Sequence, residues 1–509
     1  MKWAAALLAF SAGAPLIQAA DWIRIASANF ELLSNAPEGT ARKTLASFEQ
    51  ARDFFVREQP TLAGSPAPAT IIGFNSYSDY KPYSSKAGEL AYYLPRPEGD
   101  YIVISDLGFD RMRIALHEYV HLLVSHSRLS IPLWLNEGMA EVYSTLAERD
   151  GKLVLGELKP DRVDTLAGGG WMRLPVLFRV DENSPAYNEQ DLEGMFYAES
   201  CLLTHMLMLG EGYAPKFSTL LDRISAAGSS QTVLADLYGK PTSEIEKDLR
   251  LYFYQNVQHG KVFRTEPAKV AIPDARPATA AEVGVTLANL SLSLGRAGEA
   301  RIRLKDLAAQ YPRNADIEGA LGYVEELRDD RDAALVHYRA AVALETGGWL
   351  VYWNYARLLD DMGAEPDARF AALAAVLDRR PGFTEARLRL AHGLCDSGRF
   401  SEALARLQQA PKVEPQYAVA VFGGMSIAAF GMRQTADARQ YAEQARAAAR
   451  TPEEKAAVEK LLAAIQHTPA GASATQTRAP ADPDPDRPIL RHKPAPAPPP
   501  PPKKGGNGQ

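Results

Sequence analysis

The stretch Ile114-Ala-Leu-His-Glu-Tyr-Val-His-Leu-Leu-Val124 constrains this chain most, because eight of its eleven positions are apolar or aromatic and only His117, Glu118 and His121 are not. At 3.6 residues per turn, His117 and His121 (i, i+4) stack on one helix face, and Glu118 projects about 100° away beside the same opening. A helix apolar on its other faces belongs inside a fold, where three polar groups are costly unless something satisfies them. A metal ion would do so. Two neutral imidazoles at this spacing reach one Zn2+ at about 2.0–2.1 Å, and the intervening glutamate can take a proton from the water such an ion activates. Alone, the H-E-x-x-H arrangement also fits an ordinary core helix.

The next segment narrows the choice. Trp134-Leu-Asn-Glu-Gly-Met-Ala-Glu-Val-Tyr143 follows Ser127-Arg-Leu-Ser-Ile-Pro132, a polar, proline-containing break that ends one helix and starts another. Fifteen residues lie between His121 and Glu137, enough to turn the chain and bring Glu137 back as a third ligand with the fourth position open. Glu141 lies one turn beyond on the same face, where its carboxylate is expected to accept the second ring N–H of a ligating histidine. The competing reading of Glu137 is a carboxylate favoured by the dipole at a helix N-terminus. The apolar Trp134-Leu135 before it argues for a buried approach instead.

H-E-Y-V-H followed by W-L-N-E-G-M-A-E resembles the gluzincin metallopeptidases of the broad peptidase-MA-like group found in bacteria. The resemblance implies an α+β zincin-like catalytic domain, one Zn2+, His117, His121 and Glu137 as ligands, and Glu118 as general base. It also implies a tyrosine well downstream of the third ligand, set against the developing oxyanion. Tyr197, 60 residues after Glu137 in the apolar run Met195–Leu209, fits that place. His205 in the same run is a second possible oxyanion donor, and for both the competing reading is a core residue with its polar atoms satisfied. The family's G-x-M-E-N exopeptidase segment has no counterpart upstream of the helix, so the expected activity is that of an endopeptidase.

The 509 residues carry 56 basic and 62 acidic side chains, a net charge of −6 that offers no electrostatic footprint for nucleic acid or an anionic membrane. A size of two or three domains follows from the length. Residues 1–20 read as a cleaved secretory signal, with Lys2, an apolar run from Trp3 to Ile17 and small residues at Ala19 and Ala20. The expectation is therefore an exported protein, periplasmic or secreted, without stable membrane insertion. Cys201 and Cys395 read as separate buried thiols rather than a disulfide.

A catalytic domain is expected over 21–270. Within it Trp22–Leu32, Ala69–Phe74 and Tyr101–Ser105 carry strand signals, and Ala41–Glu58 reads as an amphipathic helix. By the same resemblance, Tyr101–Ser105 is either the sheet edge that pairs with extended substrate or an interior strand. Residues 161–191 read as irregular, with Gly168-Gly-Gly170 as a rim.

After a linker at 271–280, composition turns Ala-, Leu- and Arg-rich. Ala300, Ala333, Ala368, Ala403 and Ala438 recur at 33, 35, 35 and 35 residues, with Gly298, Gly363 and Gly398 just before three of them. This resembles about five degenerate tetratricopeptide units over 281–466, an all-α solenoid whose concave face usually takes a protein or peptide partner. Residues 467–509 end in a proline-rich tail expected to be disordered. Two functions compete: a zinc endopeptidase whose repeats recruit a peptide or protein substrate, and a non-catalytic repeat scaffold for envelope protein assembly or quality control with a relic peptidase domain.

Overall fold

Short apolar strands at the start of the chain build the sheet on which the motif helices rest. The computed structural model describes residues 21–466 except 63–67, 87, 109–110, 128, 189, 227, 257–260 and 264–269; the expected signal at 1–20 and the tail at 467–509 lie outside the described residues. The chain divides between Val283 and Gly284 into two units.

In the first unit, β1 (Ile23–Ala26), β2 (Phe30–Ser34), β3 (Ala69–Gly73), β4 (Ala91–Leu94) and β5 (Tyr101–Ile104) share one sheet. A second, three-stranded sheet holds β6 (Ala147–Arg149), β7 (Lys152–Leu155) and β8 (Lys261–Phe263), and β9 (Arg276–Pro277) returns to the first. The large sheet runs β4-β5-β3-β2-β1-β9, with β3 parallel to both β2 and β5 and the outer pairs antiparallel. Ile71 and Ile72 of β3 and Ile102, Val103 and Ile104 of β5 are all buried, the two-faced burial expected of strands paired in parallel.

The structure changes several expectations. The segment Trp22–Leu32 makes two strands around a turn closed by the Ser27 N–H on the Phe30 carbonyl, 2.8 Å. Tyr101–Ile104 is interior, so the edge is β4, whose four residues Ala-Tyr-Tyr-Leu stop at Pro95 and carry too short a pattern to stand out. The span 161–191 contains helices at Pro160–Ala167, Leu174–Leu177 and Pro185–Asn188. The whole of the expected linker belongs to the first unit: β9 pairs with β1, and Arg42 donates to the carbonyls of Ile272 and Pro273 at 2.7 Å each.

The H-E-x-x-H segment lies in the helix Met112–His126, and W-L-N-E-G in the helix Leu133–Tyr143. Tyr119, on the buried side of the first, packs edge-on against Phe30, Phe48 and Phe55 at 5.3, 5.7 and 6.0 Å between ring centres. Each such ring removed from water stabilises the fold by roughly 1.5–3 kcal/mol, so the polar opening is held in place from behind. Gly138 lets the second helix cross close to the long helix Gln190–Leu209: a Cβ there would lie 2.1 Å from Thr204 Oγ1 and 2.4 Å from the Ser200 carbonyl oxygen.

Glu199, on that long helix, is 1% exposed and accepts the Met172 N–H at 2.7 Å. Burial raises its pKa to about 8. The folded chain then keeps a proton that the unfolded chain releases above the ordinary carboxylate pKa, so stability falls as pH rises from about 4.5 through about 8. Glu199→Gln keeps an acceptor for Met172 and removes this term. Its melting temperature should exceed that of the wild type at pH 9 by at least about 2–4 °C, the equivalent of about 1 kcal/mol, with little difference at pH 4. An equal gap at both values would show that Glu199 does not titrate this way.

The second unit continues from the helix Ala280–Ser293, within which the division falls, as helical hairpins. The pairs are Ala280–Ser293 with Ala297–Gln310, Ala315–Leu327 with Arg331–Ala343, Trp349–Asp361 with Pro366–Arg379, Thr384–Asp396 with Phe400–Gln408, and Ala418–Gly431 with Thr435–Ala448, followed by Pro452–Gln466. Their turns repeat better than their letters. Residues with positive φ stand at Gly295, Asp329, Gly363, Gly398 and Arg433, at spacings of 34, 34, 35 and 35. The next N–H in each case reaches back five residues, from Arg296 to Ser291, Asp330 to Glu325, Ala364 to Leu359, Arg399 to Leu394 and Gln434 to Ala429. This is the Schellman closure of a helix C-terminus.

The alanine series is partly out of phase with this repeat. Ala300, Ala403 and Ala438 are fully buried, but in the second hairpin the buried alanine is Ala334 and not Ala333, and Ala368 is exposed. Gly298 lies inside a helix, so Gly295 is the turn glycine of the first hairpin. Both cysteines are free thiols. Among the described residues, no helix is long and apolar enough to cross a membrane.

Candidate metal centre

Two helices joined by the Ser127–Pro132 break place His117, His121 and Glu137 together. Among the described residues this is the one group of His, Cys, Asp and Glu side chains that brings three ligand atoms within 4.8 Å of one another. His117 Nε2 lies 3.1 Å from His121 Nε2, Glu137 Oε2 lies 3.3 Å from the first, and it lies 3.5 Å from the second. Bonds of about 2.0–2.1 Å in tetrahedral array put ligand atoms about 3.3 Å apart, so the triangle has the size that Zn2+ requires. Glu137 Oε2 is buried without a hydrogen-bond partner. A cation at the centre of the triangle satisfies that oxygen and the ring lone pairs together.

The ring orientations agree with this. His121 Nδ1 is 3.3 Å from Asn136 Oδ1, and because the amide oxygen only accepts, the neutral ring carries its proton on Nδ1 and its lone pair on Nε2. His117 Nδ1 faces Glu141 Oε1 at 3.8 Å, an electrostatic contact rather than the expected hydrogen bond. Glu141 is instead gripped by Arg162, with Nη2 on Oε1 at 3.0 Å and Nε facing Oε2 at 3.5 Å, and by Lys159 Nζ at 3.4 Å. Burial opposes the charge on Glu141, but His117, Lys159 and Arg162 outweigh it and bring the pKa down to about 2.

The same balance acts at His121 and Glu137. Burial disfavours charge on His121 and Glu137, yet their mutual attraction, with His117 also acting on Glu137, lifts His121 to about 9 and holds Glu137 well below the usual carboxylate range. Glu118 differs: desolvation raises its pKa against the pull of His117 and His121. Its Oε2 accepts the Tyr93 N–H of edge strand β4 at 2.9 Å. The candidate base is thus held by a backbone donor and made more basic by its burial.

The two expected oxyanion donors separate. Both ring nitrogens of buried His205 are engaged, Nε2 with the Gly156 carbonyl at 2.8 Å and Nδ1 with the Tyr252 hydroxyl at 2.7 Å. Since the carbonyl can only accept, Nε2 donates to it and Nδ1 accepts from Tyr252, which leaves no N–H for an oxyanion. His205 is a core histidine. Tyr197 is partly exposed, and its ring lies 6.1 Å from that of Tyr187. Tyr187 was not legible in advance: it lies on the one-turn helix Pro185–Asn188, yet its hydroxyl donates to Glu137 Oε1 at 3.3 Å. Asn136, inside the quoted W-L-N-E-G, was legible as a polar residue one position before the third ligand, but its pairing with His121 needed the helix crossing.

Residues 370–422 match the family model described as a tetratricopeptide repeat. The second unit carries tetratricopeptide repeats. Solved structures with similar helical arrays include YrrB, titled a tetratricopeptide-repeat protein with an unusual peptide-binding site, at 15% identity over 35% of this chain and 90% of its own, with a TM-score of 0.31. PilF of Pseudomonas aeruginosa matches at 16% identity over 36% of this chain and 88% of its own, with a TM-score of 0.27. PilW, titled a type IV pilus biogenesis factor, matches at 16% over 37% of this chain and 87% of its own, with a TM-score of 0.28. No curated protein matches the chain.

Proposed function

We propose that the first unit is a zinc-dependent endopeptidase and that the repeats bring it a protein substrate or partner. The observation carrying this is the triangle of His117, His121 and Glu137 at 3.1, 3.3 and 3.5 Å, one corner of which is a buried oxygen with no hydrogen-bond partner. Zn2+ held by these residues would supply a Lewis acid for the scissile carbonyl and lower the pKa of water. Glu118 takes the proton of the attacking water and later delivers it to the leaving amine. Tyr197 donates a hydroxyl to the charge that develops on the carbonyl oxygen, the one O–H of Tyr187 being spent on Glu137. The outer edge of β4 would take an extended substrate backbone, since Ala91 and Tyr93 direct their backbone groups away from β5, and the Tyr93 N–H, held by Glu118, ties that edge to the proposed base. An exported location is part of this proposal and is checked by cell fractionation.

The test is metal content. Purified protein should hold one zinc per chain, and His121→Ala and Glu137→Ala should each lose it; stoichiometric zinc in both variants would remove the ligand assignment. A second reading, a non-catalytic scaffold, is favoured by the comparisons, because the family match falls in the repeats and supports protein interaction. The two readings part on turnover: a zinc-loaded chain that cleaves no member of a broad peptide library would leave the scaffold.

A further inference from the structure

One guanidinium reaches toward both arms of the metal centre. Arg162 lies on the helix Pro160–Ala167, with its side chain 20% exposed. On one side it makes the two-nitrogen contact with Glu141, whose Oε1 faces Nδ1 of ligand His117 at 3.8 Å. On the other its guanidinium carbon lies 5.5 Å over the ring of Tyr197. Tyr197 lies beside Tyr187, and the Tyr187 hydroxyl donates to Oε1 of ligand Glu137 at 3.3 Å. Sequence reasoning attached no role to Arg162, and the ion pair with Glu141 would by itself be only the neutralisation of a buried carboxylate.

The geometry points to Arg162 as a positioning residue that steadies two of the three metal ligands from a single side chain, His117 through Glu141 and Glu137 through Tyr197 and Tyr187. This inference rests on the metal-centre reading above. Its physical basis is that the groups outside a ligand shell fix ring and carboxylate orientation, and their loss commonly weakens metal binding by about 10–100-fold. A planar guanidinium can grip a carboxylate with two nitrogens while its face lies on an aromatic ring. A lysine ammonium cannot do both. Lys159, already 3.4 Å from Glu141, supplies charge to the first arm and nothing to the second.

Zinc affinity of the full-length protein, measured by competition with a chromogenic chelator, separates the arms. Glu141→Gln and Tyr187→Phe should each weaken binding, and Arg162→Met should weaken it more than either, by about 10–100-fold. Because Arg162→Met leaves a buried carboxylate with less counter-charge, the decisive variant is Arg162→Met in a Glu141→Gln background, where no charge needs neutralising. There it should still lose zinc affinity through the tyrosine arm. Arg162→Lys, which keeps the charge, should fall between wild type and Arg162→Met. No further loss in the double variant, or wild-type affinity in Arg162→Lys, would overturn the two-armed role while leaving the metal centre standing. A wild-type protein that takes up no zinc would instead overturn the metal-centre reading and this inference with it.

Discussion

Glu118→Gln protein should bind one zinc per chain, melt no lower than the wild type and hydrolyse peptides about 10²–10⁴-fold more slowly. The amide has the shape of the carboxylate, and its oxygen can still accept the Tyr93 N–H that meets Glu118 Oε2 at 2.9 Å. What it lacks is a basic oxygen. The buried carboxylate, raised in pKa by desolvation and acted on by the charges of His117 and His121, is the proposed proton acceptor, and a neutral amide cannot take that proton. The prediction separates base from ligand, because His121→Ala should lose metal and turnover together. Undiminished hydrolysis by Glu118→Gln at full zinc occupancy would sink the mechanism.

Gly138→Ala should cost more stability than any other single methyl added to the motif helices. The new Cβ would meet Thr204 Oγ1 at 2.1 Å and the Ser200 carbonyl oxygen at 2.4 Å. The threonine can rotate, but the carbonyl belongs to the backbone of the long helix, so the helices must separate. Overpacking of this kind costs about 1–3 kcal/mol or more. Glu137 precedes Gly138 directly, and a displaced helix carries it away from His117 and His121, so zinc affinity should fall with the melting temperature. Adding Thr204→Ala should restore only part of the loss, since the Ser200 oxygen remains. A melting temperature within 1–2 °C of wild type, roughly 0.5 kcal/mol for a unit of this size, would show that the crossing has slack.

The centre was legible in the letters to the extent that its geometry is local. Positions i and i+4 on one helix must share a face, so His117 and His121 needed no tertiary information, and the proline break at Pro132 announced that a second helix would turn back with Glu137. The helical hairpins were legible for the same reason, as a period near 34. Their register was less so. The turn needs a left-handed residue rather than a glycine, and Asp329 and Arg433 take that conformation without a sequence mark, whereas Ala333 and Ala368 fit the spacing but not the buried phase.

What only the tertiary structure decided concerns partners far apart in the chain. His205 and Tyr197 were both polar exceptions in one apolar helix, the tyrosine favoured by its distance beyond Glu137, and the Gly156 carbonyl and Tyr252 hydroxyl, which consume both nitrogens of His205, come from 49 and 47 residues away. Tyr187 sits on a single turn of helix with no periodicity to reveal it. Glu141 was placed on the face of Glu137 by helical spacing, but that spacing could not say that His117 would be the histidine it faces or that Arg162, 21 residues on, would take its hydrogen bonds. The edge of the sheet passed from Tyr101–Ile104 to Ala91–Leu94 because strand order depends on which strands pair, a matter of long-range packing that four residues cannot encode. The sequence by itself determined which imidazoles and carboxylates share a helix face, since helix geometry is fixed by the backbone; the tertiary structure decided which side chains answer them, since those contacts exist only after distant segments have packed.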